Sequence, residues 1–154
     1  MEIIEVRPAA PADLPAAARL RWQWLLEYDE TPEGTEAEFV EYFTTWAQTA
    51  TQHTCHVAVR GDTIVGMAWL AVTDRVPSAQ SFVRRSGDLQ SVYVVAAERN
   101  RGIAGRLVDA VLDQARSLGL RHVTVHSSSK AISVYEGRGF EMVRKLMLHE
   151  GVRS

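Results

Sequence analysis

The chain has one cysteine, Cys55, in 154 residues. No internal disulfide can therefore form, and the Cys and His spacings that mark a structural metal site are absent. It contains no apolar run long enough to cross a bilayer, and its first residues lack the basic-then-apolar pattern of a secretion signal. The expectation is a cytoplasmic protein with no metal and no membrane partner. A net charge of −2 offers no general attraction for nucleic acid, so any anion binding must come from local clusters. Neither usual phosphate signature is present: no Gly-Lys-Ser/Thr follows a glycine-rich turn, and Gly102-Ile103-Ala104-Gly105 is not G-x-G-x-x-G. Repeats and linkers are also missing. Residues 1–154 read as a single domain, and 46% apolar content is enough for one core.

What the chain does have is the stretch from Asp88 to Val108. Leu89, Val92, Tyr93, Val94 and Val95 form a β-branched and aromatic run, and a short polar turn follows. Ala104, Leu107, Val108, Val111, Leu112 and Ala115 then recur at helical spacing. The stretch reads as strand, turn and helix. Gly102 and Gly105 stand at the helix start, with Arg99 and Arg101 just ahead and Arg106 just after. The first N–H groups of a helix lack intrahelical partners and its dipole is positive there, so this turn is a candidate anion site.

The rest of the chain supplies elements around that unit. Ile3, Ile4 and Val6, stopped by Pro8, read as a first strand. Pro11, Asp13 and Pro15 suit a first helical turn, and Leu14, Ala17, Ala18, Trp22 and Leu25 continue it. Thr35 and Glu38 have capping-box spacing ahead of the stripe Phe39, Tyr42, Phe43, Trp46, Ala47 and Ala50. His56–Val59 and Ile64–Val72 flank a glycine turn and read as a hairpin. Residues 73–87, with Pro77 and several serines, read as a mobile loop. Arg121 to Ser127 alternate as a strand, Ala131, Val134 and Tyr135 share a short helix face, Gly139 ends that helix, and Phe140 to Leu148 read as a last strand. The order β-α-α-β-β-β-α-β-α-β is mixed α/β, with helices flanking a sheet.

Arg99-x-x-Gly102-x-Ala104 after a strand, followed downstream by Ala131-x-x-Val134-Tyr135-Glu136-x-x-Gly139-Phe140, resembles the two conserved blocks of the GNAT superfamily of N-acetyltransferases. The resemblance implies a GNAT-like α/β fold, with a mixed, mostly antiparallel central sheet between helices. It also implies that the strand at 88–95 and the strand at 121–127 run parallel and splay apart. Acetyl-CoA would enter that gap as cosubstrate, with Arg99 opening its loop and its pyrophosphate on the backbone N–H groups from about Asn100 to Gly105, that is Asn100, Arg101, Gly102, Ile103, Ala104 and Gly105. Its pantetheine arm would lie along the peptide groups of Val92, Tyr93 and Val94. Ser128 stands where relatives often carry an asparagine that contacts the cofactor. Tyr135 matches the tyrosine that protonates the departing CoA thiolate.

The implied activity is direct transfer of an acetyl group from acetyl-CoA to an amine in a ternary complex, with a small-molecule amine favoured over a protein. A non-catalytic acyl-CoA sensor using the same loop is the alternative. Glu27, Tyr28 and Asp29 end the first helix, which borders the acceptor pocket in this family, and carboxylates there oppose the helix dipole. They are the acceptor-binding candidates, in a pocket expected between the first two helices and residues 73–87. Arg75, Arg84 and Arg85 form the competing set, for an acceptor's carboxylate. The general base stays open among Asp88, His126, the acidic run at 27–30 and water. The sequence does not choose between monomer and homodimer, nor does it show whether a longer acyl-CoA is preferred.

Overall fold

The computed structural model describes residues 3–151. β1 (Ile4–Pro8) leads into α1 (Leu14–Glu27) and α2 (Glu36–Thr49). β2 (His53–Arg60), β3 (Thr63–Arg75) and β4 (Arg84–Val94) follow, then α3 (Ile103–Ser117), β5 (Val123–Val125) and α4 (Ile132–Glu136). The five strands form one sheet in chain order. Its first three pairings are antiparallel, and β4 with β5 is parallel.

Local chemistry accounts for where the helices begin. Asp13 accepts from the Ala10 amide at 2.7 Å and pairs with Arg7 at 2.6 Å, tying the start of α1 to β1. Thr35 Oγ1 accepts from the Glu38 amide at 3.2 Å, so α2 starts at the capping signal in the sequence. Strand alternation then sends side chains to two cores. On one face, Leu107, Val108 and Val111 of α3 are fully buried against Ala58, Ala68, Leu70 and Leu89. On the other, Leu14, Ala17 and Leu20 of α1 cover Val57, Met67, Trp69 and Tyr93. Each buried Leu, Val or Met among these contributes about 1.5–3 kcal/mol on burial, and each alanine less. Together these two layers hold β4 between α1 and α3.

The segment expected as a loop at 73–87 is strand at both ends. β3 runs on to Arg75 and β4 begins at Arg84, in register from Val72 opposite Gly87 to Arg75 opposite Arg84. The side chains there are polar, so no hydrophobic alternation marks them; backbone pairing with the neighbouring strand is what extends the ladder. Only residues 76–83 remain as a loop. The strand expected over Phe140–Leu148 is also not formed: residues 140–150 carry no strand. Apolar residues alone do not make a strand without a neighbouring edge. β5, whose own expected span of 121–127 shrinks to 123–125, pairs among the described residues only with β4, and Met142, Leu146 and Met147 are left 81%, 81% and 92% exposed.

Candidate functional site

β4 and β5 pair only from Gly87 opposite Val123 to Leu89 opposite Val125. β4 continues to Val94 while β5 has ended, so the two strands part after Leu89. A bulge sits at the same place. Met67 faces Tyr93 and Trp69 faces Gln90, so Ser91 and Val92 together oppose Ala68, with Ser91 at φ 52°. Such a bulge bends and twists a strand. Among the described residues the β5-side edge of β4 beyond Leu89 therefore has no strand neighbour, which leaves that edge open to an extended ligand apart from the Val94 carbonyl, which Arg99 occupies.

The chain then turns into α3. Asn100 and Gly102 take positive φ values of 64° and 79°, and Gly102 is the N-cap. Arg106 donates to the Gly102 carbonyl at 3.1 Å, the first bond of the helix. The N–H groups of Gly102, Ile103, Ala104 and Gly105 precede that bond, and no side chain caps them. They converge at the positive end of a 15-residue helix.

The arginines near this turn have partners within the chain. Arg99 donates from Nε to the Val94 carbonyl at 2.8 Å and from Nη2 to Glu27 at 2.8 Å. Arg101 pairs with Glu98 at 3.2 Å, and Arg106 donates to the Ile4 carbonyl at 2.9 Å. A further cation reaches the turn from α4's side: Arg138, which the sequence reading passed over, lies against Gly105. Its Nη2 would lie 2.1 Å from a Cβ built on Gly105, so glycine leaves the room for this guanidinium. Arg138 otherwise meets only Asp109, at 3.4 Å, among the described residues. Its position three residues after Tyr135 on the α4 turn was the available signal.

Tyr135 packs in the α3-side core with Leu89, Val94 and Ile103, and its ring meets Phe140 edge-on at 5.6 Å. Burial raises its pKa above the ordinary phenol value. The hydroxyl makes no hydrogen bond among the described residues. Ser128 lies between the end of β5 and α4, where its carbonyl accepts from Ala131 at 3.1 Å.

Glu27, expected to meet an acceptor, is engaged within the chain. Its carboxylate accepts from the Tyr93 hydroxyl and from Arg99, and Trp24 stacks on Tyr93 at 5.5 Å. Burial pushes Glu27 up, but these donors outweigh it and hold the carboxylate below its usual range. Burial, then the Glu27 hydrogen bond, raises the Tyr93 phenol. Tyr28 is 61% exposed, and Asp29 has no ion-pair partner among the described residues. Arg84 and Arg85 donate to the carbonyls of Val76 and Leu118 at 2.8 and 2.6 Å, which occupies much of the competing cationic set.

Asp88 sits one residue before the last β4–β5 pair. It accepts from Thr124 Oγ1 at 2.8 Å and from Gln90 Nε2 at 2.9 Å. Both donors are neutral, so its charge has no cationic partner among the described residues. His126 is exposed just past the end of β5. Among the described residues no group of three His, Cys, Asp or Glu side chains is arranged to hold a metal ion. A groove of about 670 Å³ between α1 and α2, lined by Arg19, Glu36, Val40, Glu41 and Thr44, includes none of the expected site residues.

Comparison with known proteins gives one consistent outcome. The model of the acetyltransferase (GNAT) family matches residues 18–140. The structure is similar to that of a predicted acetyltransferase with acetyl-CoA from Clostridium acetobutylicum (20% identity, 96% of each chain covered, TM-score 0.78). It is also similar to glucosamine-6-phosphate N-acetyltransferase from Arabidopsis thaliana (18% identity, 96% of this chain and 98% of that one, TM-score 0.72). An aminoglycoside N-acetyltransferase in complex with CoA is similar as well (17% identity, 99% and 97%, TM-score 0.76). No curated protein matches the chain.

Proposed function

The chain belongs to the GNAT family of acetyltransferases, and from that premise we propose that it transfers an acetyl group from acetyl-CoA to a small-molecule amine by direct attack in a ternary complex. One observation carries the reading: the strand edge left open after Leu89 leads to the unpaired N–H groups of Gly102–Gly105, while Tyr135 packs among the residues flanking that gap. An extended chain ending in a pyrophosphate fits this arrangement. The pantetheine amides pair with β4 as an added strand would, and the pyrophosphate meets the helix start, with Arg138 as the nearby cation. Solved relatives described as holding acetyl-CoA or CoA support the same cosubstrate.

In the transfer, the amine lone pair attacks the thioester carbonyl and the C–S bond breaks. The sulfur takes the proton of the Tyr135 hydroxyl, which its raised pKa keeps protonated at neutral pH, and the proton that the nitrogen loses on becoming an amide passes to solvent, from which the tyrosinate is reprotonated. The amine must first shed a proton. Asp88 is the candidate acceptor, since its charge is held by neutral donors only and it lies at the mouth of the gap. The same uncompensated charge, with Tyr28 and Asp29 exposed on α1's end, supports a cationic amine as acceptor. The test is acetyl-CoA binding by calorimetry alongside thiol release over a panel of amino acids, polyamines, aminoglycosides and lysine peptides. Saturable thiol release with a small amine is expected. Tight acetyl-CoA binding with no turnover on any amine overturns the catalytic reading in favour of a sensor, and turnover confined to peptides overturns the small-molecule assignment.

A further inference from the structure

α3 carries in its first turn a glycine that its backbone does not require. Gly105 lies within the helix and lacks the positive φ of Gly102. Alanine is the better helix former at such a position, so the missing side chain has another cause. Packing supplies it. A Cβ on Gly105 would run into Nη2, Cζ and Nη1 of Arg138, the whole end of that guanidinium. Gly105 is buried and the Arg138 side chain is 32% exposed, so the fork is laid against the helix instead of standing out in solvent.

The direction of this contact places the charge. In an α-helix each Cα–Cβ bond tilts toward the N-terminus, so a guanidinium filling the Cβ position of Gly105 lies beside the first turn, on the side of the uncapped N–H groups. Arg138 comes from the end of α4, and its Nε passes Asp109, one turn further along α3, at 3.4 Å. That separation is longer than a normal hydrogen bond, and the fork has no other partner among the described residues. Arg99, Arg101 and Arg106, by contrast, each donate a hydrogen bond within the chain. A cation beside the positive end of a helix is unfavourable on its own. A free arginine fork next to unpaired helix N–H groups suits an occupant with several anionic oxygens close together.

We propose that Arg138, seated by Gly105, donates its fork to the pyrophosphate of acetyl-CoA, and that this pair of residues sets how tightly the cosubstrate is held. The inference rests on the acetyl-transfer reading and adds a requirement to it: residue 105 must lack a side chain so that the guanidinium can lie beside the first turn of α3.

The full chain is titrated calorimetrically with acetyl-CoA and with dephospho-CoA, which keeps the pyrophosphate and lacks the 3′-phosphate, and thermal melting is followed in parallel. Arg138→Gln should weaken both ligands at least about tenfold and flatten the salt dependence of acetyl-CoA binding. Arg138→Lys, a point charge without the fork, should recover part of the loss. Gly105→Ala displaces only the flexible end of Arg138, so it should melt no lower than the wild type and still bind both ligands at least about tenfold more weakly. In the Arg138→Gln background the same change should alter affinity by less than about twofold, because the two residues act as one unit. A wild-type chain that binds neither ligand overturns the acetyl-CoA reading and this inference with it. Wild-type binding with unchanged affinity in Arg138→Gln overturns the inference alone. So does a loss confined to acetyl-CoA, which gives Arg138 to the 3′-phosphate, or a Gly105→Ala loss that persists in full without Arg138.

Discussion

Glu27 and Arg99 are 72 positions apart in the chain and meet at 2.8 Å. The last residue of α1 thus holds the first arginine of the turn before α3, and the same arginine grips the Val94 carbonyl at the end of β4. Tyr93, donating to Glu27, completes the connection between the end of α1 and β4. The ion pair raises the pKa of Arg99 and contributes to the lowered one of Glu27.

Glu27→Gln keeps the shape of the side chain and removes its charge. With Arg99 42% and Glu27 29% exposed, the pair is screened, and a double-mutant cycle with Arg99→Leu should give a coupling of about 0.2–1 kcal/mol in chemical denaturation. Because Glu27 already has two donors, the variant should raise KM for acetyl-CoA by loosening the turn while leaving KM for cationic amines unchanged. Steady-state kinetics separate the two: a rise confined to the amine's KM makes Glu27 an acceptor ligand.

Gly102 is left-handed at φ 79°, and a Cβ added there meets nothing within 4 Å. Gly102→Val should therefore fold, with a strain of about 1–2 kcal/mol from the backbone alone. A branched side chain at the N-cap covers the converging N–H groups. Acetyl-CoA affinity should fall at least about tenfold, about 1.4 kcal/mol. Calorimetry on the folded variant checks this, and an unchanged affinity removes the anion assignment from this turn.

Tyr135→Phe removes a hydroxyl and keeps the ring against Phe140. Turnover with a good acceptor should drop by about 10² to 10⁴, with acetyl-CoA affinity within about twofold. A loss of turnover under about twofold makes water or another group the acid. The raised pKa sets the sign of the pH dependence. The fold favours the neutral phenol, so its contribution to stability is complete below the unfolded value of about 10 and is lost as pH rises through the folded one. Above about pH 10, thermal melting of the wild type should decline more steeply than that of Tyr135→Phe.

Some of these features are visible in one dimension because they depend on neighbours within a turn or two. The Thr35 cap, the 3.6-residue stripe of α3, the hairpin of β2 and β3, and the Asn100–Gly105 turn all follow from local backbone preferences and side-chain spacing. So does the proximity of Gly102 to the start of α3. The arginines were legible only as charges near that turn. Which carbonyl or carboxylate each one meets depends on chain segments far away: Ile4 for Arg106, Glu27 for Arg99.

The amino-acid sequence by itself determined the strand, turn and helix from β4 to α3, the tyrosine-bearing block downstream, and hence the family, because these are short-range patterns. Tertiary structure alone decided where β4 and β5 part, that residues 73–75 and 84–87 join the ladder, and that 140–148 does not. A strand exists only where another backbone edge stands beside it, and no alternation of side chains in one segment specifies that edge. The same reason placed Glu27 in an internal ion pair and brought Arg138 to Gly105: a long flexible side chain takes whichever partner the packing of α1, α3 and α4 presents to it.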